Sequence, residues 1–217
     1  LKSLGFFDGP GLSSTQRTQI ATLARETKVL QNLIVMNWGD TEIAERAFRV
    51  TDDNYNVPLV KVIIHKVTTV GSFAFDACQS LTTAIFPDVT TVNDHAFLSD
   101  RALRTLFIPM AVTINSNAFY NDAITELSCP FLRTIDPGGF RNTQLATISF
   151  PSLTHVNTLA FYECRYLVSA YLPVCINIGD NAFGNCTALR TITFPQSTAT
   201  VDPKAFNGCS NLQIRNP

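Results

Sequence analysis

The chain is short of charge. Only 15% of its 217 residues are Asp, Glu, Lys or Arg, against roughly 25% in ordinary globular proteins. Its 16 basic and 17 acidic residues nearly cancel, and no run or stripe of one sign occurs. That removes the electrostatic footprint of a nucleic-acid binder. Long apolar runs are missing as well. Stretches such as Leu33–Met36 and Val62–Ile64 fall far short of the ~20 residues that cross a bilayer. No Gly-x-Ser-x-Gly, His-Glu-x-x-His or phosphate-cradling glycine loop is present, so the usual catalytic constellations are absent. The chain opens at Leu1 with neither an initiator Met nor a leader. It is read as a processed or trimmed chain, and the missing leader excludes nothing.

What is there is apolar and periodic. Hydrophobic residues make up 46% of the chain, ample for a continuous core and contrary to disorder. An Ile or Val is followed five residues later by Phe, usually with Ala before it. The pairs are Ile43/Phe48, Val70/Phe75, Val92/Phe97, Ile114/Phe119, Ile135/Phe140, Val156/Phe161, Ile178/Phe183 and Val201/Phe206. Successive Phe residues stand 27, 22, 22, 21, 21, 22 and 23 apart. A period of this size is the mark of a stacked-repeat architecture.

A second element lies between these pairs. Leu81-Ala84-Phe86-Pro87, Leu103-Leu106-Ile108-Pro109 and Ile124-Leu127-Cys129-Pro130 set its spacing. Leu145-Ile148-Phe150-Pro151, Leu167-Ala170-Leu172-Pro173 and Leu189-Ile192-Phe194-Pro195 repeat it. An earlier copy, Leu59-Val62-Ile64, has His65 in place of Pro. Apolar residues two apart share one face of a short strand, and the Pro behind them ends it. One such strand cannot bury its own face. Copies stacked at roughly 4.8 Å can, giving a parallel sheet along a rod about 35 Å long with right-handed crossovers. The Phe of each return segment then reads as core filling, not as part of a cofactor box.

At these residues the sequence resembles the BspA-type branch of leucine-rich-repeat proteins. The match lies in the strand-Pro element, the Ile-x4-Phe unit, and a Cys three after Phe followed by Leu. Phe161-Cys164-Leu167 and Phe183-Cys186-Leu189 are the fullest copies, with Phe75-Cys78-Leu81 and Phe206-Cys209-Leu212 close behind. The resemblance covers about residues 40–212. It implies a leucine-rich-repeat solenoid: a right-handed coil with a short-stranded parallel sheet on the concave face and an N-terminal capping helix. It also implies a non-catalytic adhesion or interaction protein, secreted or on a cell surface. Asp100, Asp122 and Thr143 stand where Cys is expected, so the middle coils differ from the flanking ones. The last copy, Leu212–Pro217, brings its Pro one residue early.

Two parts follow: a lead-in and capping helix over 1–38, and an array of about eight units over 39–217. Residues 1–13 read as irregular. Ser13 or Ser14 should cap a helix running to about Gln31, with Ile20, Leu23, Ala24 and Leu30 on its apolar face. That helix reads as a lid on the first coil, with a partner-binding helix as the alternative. Cys78, Cys164, Cys186 and Cys209 share one repeat position, and Cys129 and Cys175 replace core residues. They read as small buried hydrophobes, although bridges between neighbouring coils, Cys164 to Cys186 or Cys186 to Cys209, stay open. No Cys-x2-Cys pair suggests zinc. His65, His95 and His155 fall at three phases of the repeat, and the Asp52-Asp53 pair reads as a solvated loop. Neither metal nor cofactor is expected. Asn185-Cys186-Thr187 is a glycosylation sequon by pattern alone.

Function should lie on the wet side of the strands. There Ile63, Ile85 and Phe107 come side by side, flanked by Lys61, Thr83 and Thr105, with Tyr171 further along the same row. Large apolar groups on a solvated strand face mark a contact site, and aromatic anchors suit a binding hot spot. Sheet stabilisation by neighbouring β-branched residues is the competing explanation. The expected partner is a protein, with a glycan or extracellular matrix as alternatives. A spacer or self-assembling element of a larger surface protein is the second expectation.

Overall fold

The computed structural model describes residues 2–6, 9–26, 29–49 and 58–217. The Asp52-Asp53 pair therefore lies outside the described residues. The chain winds as a parallel β-solenoid whose coils pile in register. The observation most able to overturn that expectation supports it. Phe48, Phe75, Phe97, Phe119, Phe140, Phe161, Phe183 and Phe206 form one column, with neighbouring ring centroids 5.0–5.7 Å apart. Trp38 starts the column, 6.3 Å from Phe48. Inside it, Phe48 through Phe183 are fully buried.

The local chemistry of each corner explains the column. The residues two before and two after a core Phe take positive φ, as at Asn117 and Asn121 or Asn181 and Asn185. Asn tolerates the left-handed region better than most residues, and Gly138 uses it freely at φ 72°. The small residue before Phe lets backbones touch. Phe75 N–H bonds Ala96 C=O at 2.7 Å, Phe97 bonds Ala118 at 2.8 Å, and Phe119 bonds Gly139 at 2.9 Å.

Two kinds of parallel ladder flank the column. The Ile/Val of each Ile-x4-Phe unit sits in a two-residue strand, and eight of these, from Glu42–Ile43 to Thr200–Val201, form one unbroken sheet. The strand-Pro elements do not. Ser3–Phe6, Asn32–Val35, Lys61–Ile64, Thr83–Ile85 and Thr105–Phe107 make a five-stranded sheet. Thr147–Ser149, Ser169–Tyr171, Thr191–Thr193 and Gln213–Arg215 make a separate four-stranded one. Between them, residues 125–128 carry the repeat pattern but form no strand. Sequence alternation predicts one continuous ladder here, and the structure corrects that. Coil length alone does not explain the break: Ile124 comes five residues after Phe119, but Leu145 also comes five after Phe140, and Thr147–Ser149 is a strand.

The N-terminal end also differs from expectation. Ser3–Phe6 is a strand, paired with Asn32–Val35, where an irregular lead-in was expected. The helix spans Ser14–Glu26 and does not reach Gln31. Leu30, Leu33 and Val35 are buried at the positions that Leu59, Val62 and Ile64 occupy one coil later. Their spacing belongs to a strand, so tertiary pairing overrides the helical reading of Leu30. The parallel ladder thus includes residues ahead of position 39. Ser13 and Gln16 form a capping box at 3.3 and 2.9 Å. Arg17 ties the helix to Leu12 C=O, Gly39 C=O and Asp40. Ile20, Ala21 and Ala24 are buried in the shared core, with Leu23 packed against it. The helix thus packs against the first coils, between the Ser3–Phe6 and Asn32–Val35 strands in the chain. At the other end, Ile214 pairs with Ile192, so the missing residue is absorbed just after Leu212. No described helix is long and apolar enough to cross a membrane.

Candidate interaction face

Pairing register brings the wet-side residues together. Gly5, Ile34, Ile63, Ile85 and Phe107 are successive partners across the five-stranded sheet. Ser3, Asn32, Lys61, Thr83 and Thr105 run beside them. Six of the expected residues, Lys61, Ile63, Thr83, Ile85, Thr105 and Phe107, therefore share one surface. Ile63 and Ile85 are half-buried by their neighbours, while Phe107 at the end of the row is 49% exposed. Ile34 extends the apolar row by one coil. It lies ahead of residue 39, where the repeat array was expected to begin, and before the first Leu59-Val62-Ile64 copy of the strand pattern.

Tyr171 does not join them. It lies in the four-stranded sheet, paired with Ser149 and Thr193, across the break from Phe107. The interval is a cavity of about 740 Å³ lined by Arg104–Phe107, Thr125–Ser128, Ala146, Thr147 and Ser149. Residues 125–128 form its floor, and the two sheet edges form its walls. Around Tyr171, a single coil exposes Tyr166, Val168, Val174 and Ile176 as well. Met110 and Phe131, each directly after a strand-ending Pro, are exposed on adjacent coils. Their signal was legible as an apolar residue at the Pro-plus-one position, but the spacing of core residues drew attention away from it.

The remaining candidates are structural. All six cysteines are free, and only Cys209 is not fully buried. Cys78, Cys164, Cys186 and Cys209 each donate their thiol to the carbonyl of a Phe one coil back, at 3.0–3.2 Å. Burial pushes the Cys129 thiol up to about 12 and those of Cys164 and Cys175 to about 11. Such thiols are poor nucleophiles. Asn185, in the sequon, has its amide bonded to the Tyr162 hydroxyl at 2.9 Å. His95 stacks on Phe73 at 4.8 Å, and among the described residues no His/Cys/Asp/Glu group could hold a metal.

Asp100 and Asp122 take the Cys position in the two middle coils and are buried. Asp122 Oδ1 accepts the Asp100 N–H at 2.8 Å. Both Asp100 carboxyl oxygens and Asp122 Oδ2 lack a hydrogen bond of good geometry, although the Cys78 amide faces Asp100. Burial holds both acids well above the usual carboxylate range. For Asp100 the Asp122 charge adds to that, and the Cys78 amide opposes it. Burial thus disfavours the charged form of each, at the place where flanking coils carry a Cys.

No curated protein sequence matches the chain closely. Among solved structures it is similar to a leucine-rich-repeat protein of T. pallidum, at 25% identity and a TM-score of 0.56 over 69% of this chain and 71% of the other. It is also similar to a leucine-rich-repeat protein of Bacteroides ovatus, at 16% identity and a TM-score of 0.54. That match covers 87% of this chain and 61% of the B. ovatus chain, and it bears on the fold alone. A model of the BspA type leucine rich repeat region matches in six copies over residues 41–168 and 154–216. Those spans hold the Phe column and nearly all of both ladders, and the chain belongs to this BspA-type leucine-rich-repeat family.

Proposed function

We propose that this chain is a non-catalytic binding module whose strand face engages another macromolecule, in the first place a protein. One observation carries it: Ile34, Ile63, Ile85 and Phe107 stand in register on the solvated side of a sheet. The opposite side of the same strands already supplies the core through Leu33, Val62, Ala84 and Leu106. The fold does not require that outer row to be apolar. Lys61, Thr83 and Thr105 beside it supply a polar rim, and Phe107 an aromatic anchor of the kind hot spots favour. A cell-surface or secreted setting belongs to the same proposal and rests on family membership.

The double variant Ile85→Ser/Phe107→Ser should lose capture of a host-cell or matrix protein by about 30-fold or more, as befits removal of a hot spot. Its melting temperature should stay close to that of the parent chain. Undiminished capture by a folded double variant refutes the proposal, and capture of a glycan alone would change the partner class.

A second function, self-assembly as a spacer, draws on the apolar groups that one coil exposes, Tyr166, Val168, Tyr171, Val174 and Ile176. Light scattering over a concentration series separates the two, because self-association needs no foreign partner.

A further inference from the structure

The break in the strand ladder leaves hydrogen-bonding backbone without partners. Alternate residues of a parallel strand bond to opposite neighbours. Thr105 N–H reaches back to Thr82 C=O, and Phe107 C=O accepts from Phe86 N–H. Leu106, between them, and Ile108 N–H therefore face the other way, into the cavity. In the coils that belong to the two sheets the equivalent bond is made: Phe86 N–H bonds Phe107, Phe150 N–H bonds Tyr171, and Leu172 N–H bonds Thr193. No equivalent bond links Arg104–Ile108 to residues 125–128. An open sheet edge beside a concavity is the site at which an extended peptide can add as a strand. The cavity's volume, about 740 Å³, falls within the range of ligand sites.

The lining sets what would fit. Phe107 forms an apolar wall, and Thr105, Ser128, Thr147 and Ser149 bring hydroxyls. On the floor, Glu126 is exposed and has no ion-pair partner among the described residues. Repeat spacing places Glu126 level with Thr105 and Ser128 level with Phe107. An occupant with a basic side chain followed two residues later by an aliphatic one would meet Glu126 and Phe107 in turn, because those side chains share a strand face.

We propose that the gap between Thr105–Phe107 and Thr147–Ser149 binds an extended, basic-aliphatic peptide segment of a partner protein. The segment adds to the Leu106 edge through main-chain hydrogen bonds. This rests on the protein-binding function proposed above and supplies its recognition mode.

The chain's own Lys61–Ile64 strand has the required pattern, with Lys61 at the Thr105 level and Ile63 at the Phe107 level. The probe is therefore an end-blocked, fluorescein-labelled peptide copying residues 58–66, compared with a twin N-methylated at alternate residues. Fluorescence anisotropy on the full chain should show saturable binding of the first and at least tenfold weaker binding of the twin. Ser128→Phe, which fills the gap, should abolish binding, and Lys204→Ala, on an exposed corner of the last coil, should leave it within twofold. Hydrogen exchange at the Leu106 and Ile108 amides should slow on binding, a readout independent of any variant. Absence of binding, equal binding of the twin, or unchanged exchange at both amides overturns the proposal. If Ser128→Phe leaves partner capture intact while Ile85→Ser/Phe107→Ser abolishes it, the strand face stands and the gap does not. If neither variant affects capture, both fall.

Discussion

Replacing Asp100 and Asp122 with Cys, the residue found at the same position in four other coils, should stabilise the protein and flatten its response to pH. Three buried carboxyl oxygens lack a hydrogen bond of good geometry, and an unmet buried polar group costs about 1–3 kcal/mol. Relieving them should therefore gain about 3 kcal/mol or more near pH 8, which is about 6–12 °C in melting temperature for a chain of this size. The sign with pH follows from burial, which raises both folded-state pKa values. Native protein then retains protons that the unfolded chain releases near pH 4. Stability is greatest below that value and falls as pH rises through the folded-state pKa values. Below that value the unfolded chain keeps these protons as well, so the pH-dependent part of the advantage of Asp100→Cys/Asp122→Cys should vanish. Thermal unfolding followed by circular dichroism from pH 4 to pH 8 measures the difference between parent and variant. Asp76 is also raised by burial, against the pull of Arg49 at 2.8 Å, but it is common to both proteins and cancels. A difference that is flat with pH, or that grows towards acid, would falsify the burial account.

Other expectations follow from the column, the corners and the thiols. Phe119→Ala removes a ring stacked between Phe97 and Phe140 and should cost about 3–5 kcal/mol in a urea titration; a loss under 1 kcal/mol would mean the column is not the core. Leu159 holds φ 58° at a position that Asn117, Gly138 and Asn181 fill in three other coils and Arg46, Phe73 and His95 in three more, so Leu159→Asn should gain about 1 kcal/mol, and a destabilised variant would show that the half-buried side chain matters more. Thiol titration with a colorimetric disulfide at pH 8 should find Cys209 reacting first and the five buried cysteines only on unfolding. Rapid labelling of Cys164 or Cys186 in native protein would contradict their packing.

The sequence carried the coil, and the reason is that repetition makes local rules sufficient. A five-residue step from Ile to Phe and a two-residue step within each strand put the same side chains in the same places eight times over. Stacking follows because no single unit can bury its own face. The row Ile63, Ile85 and Phe107 was legible for the same reason, since strand alternation assigns inside and outside without further information. Three features were decided only by contacts between coils. Leu30 fits a helix or a strand by spacing, and only pairing of Asn32–Val35 with Lys61–Ile64 chooses. Residues 125–128 carry the strand pattern, yet they pair with neither neighbour as a strand, and nothing in their own alternation distinguishes them from residues 147–149, which do. Asp100 and Asp122 look like solvated acids in the sequence. Stacking coils around them excludes water, and that disfavours their charged forms. Sequence fixes what each coil can offer its neighbour; the register between neighbours decides which bonds are made and which are left open.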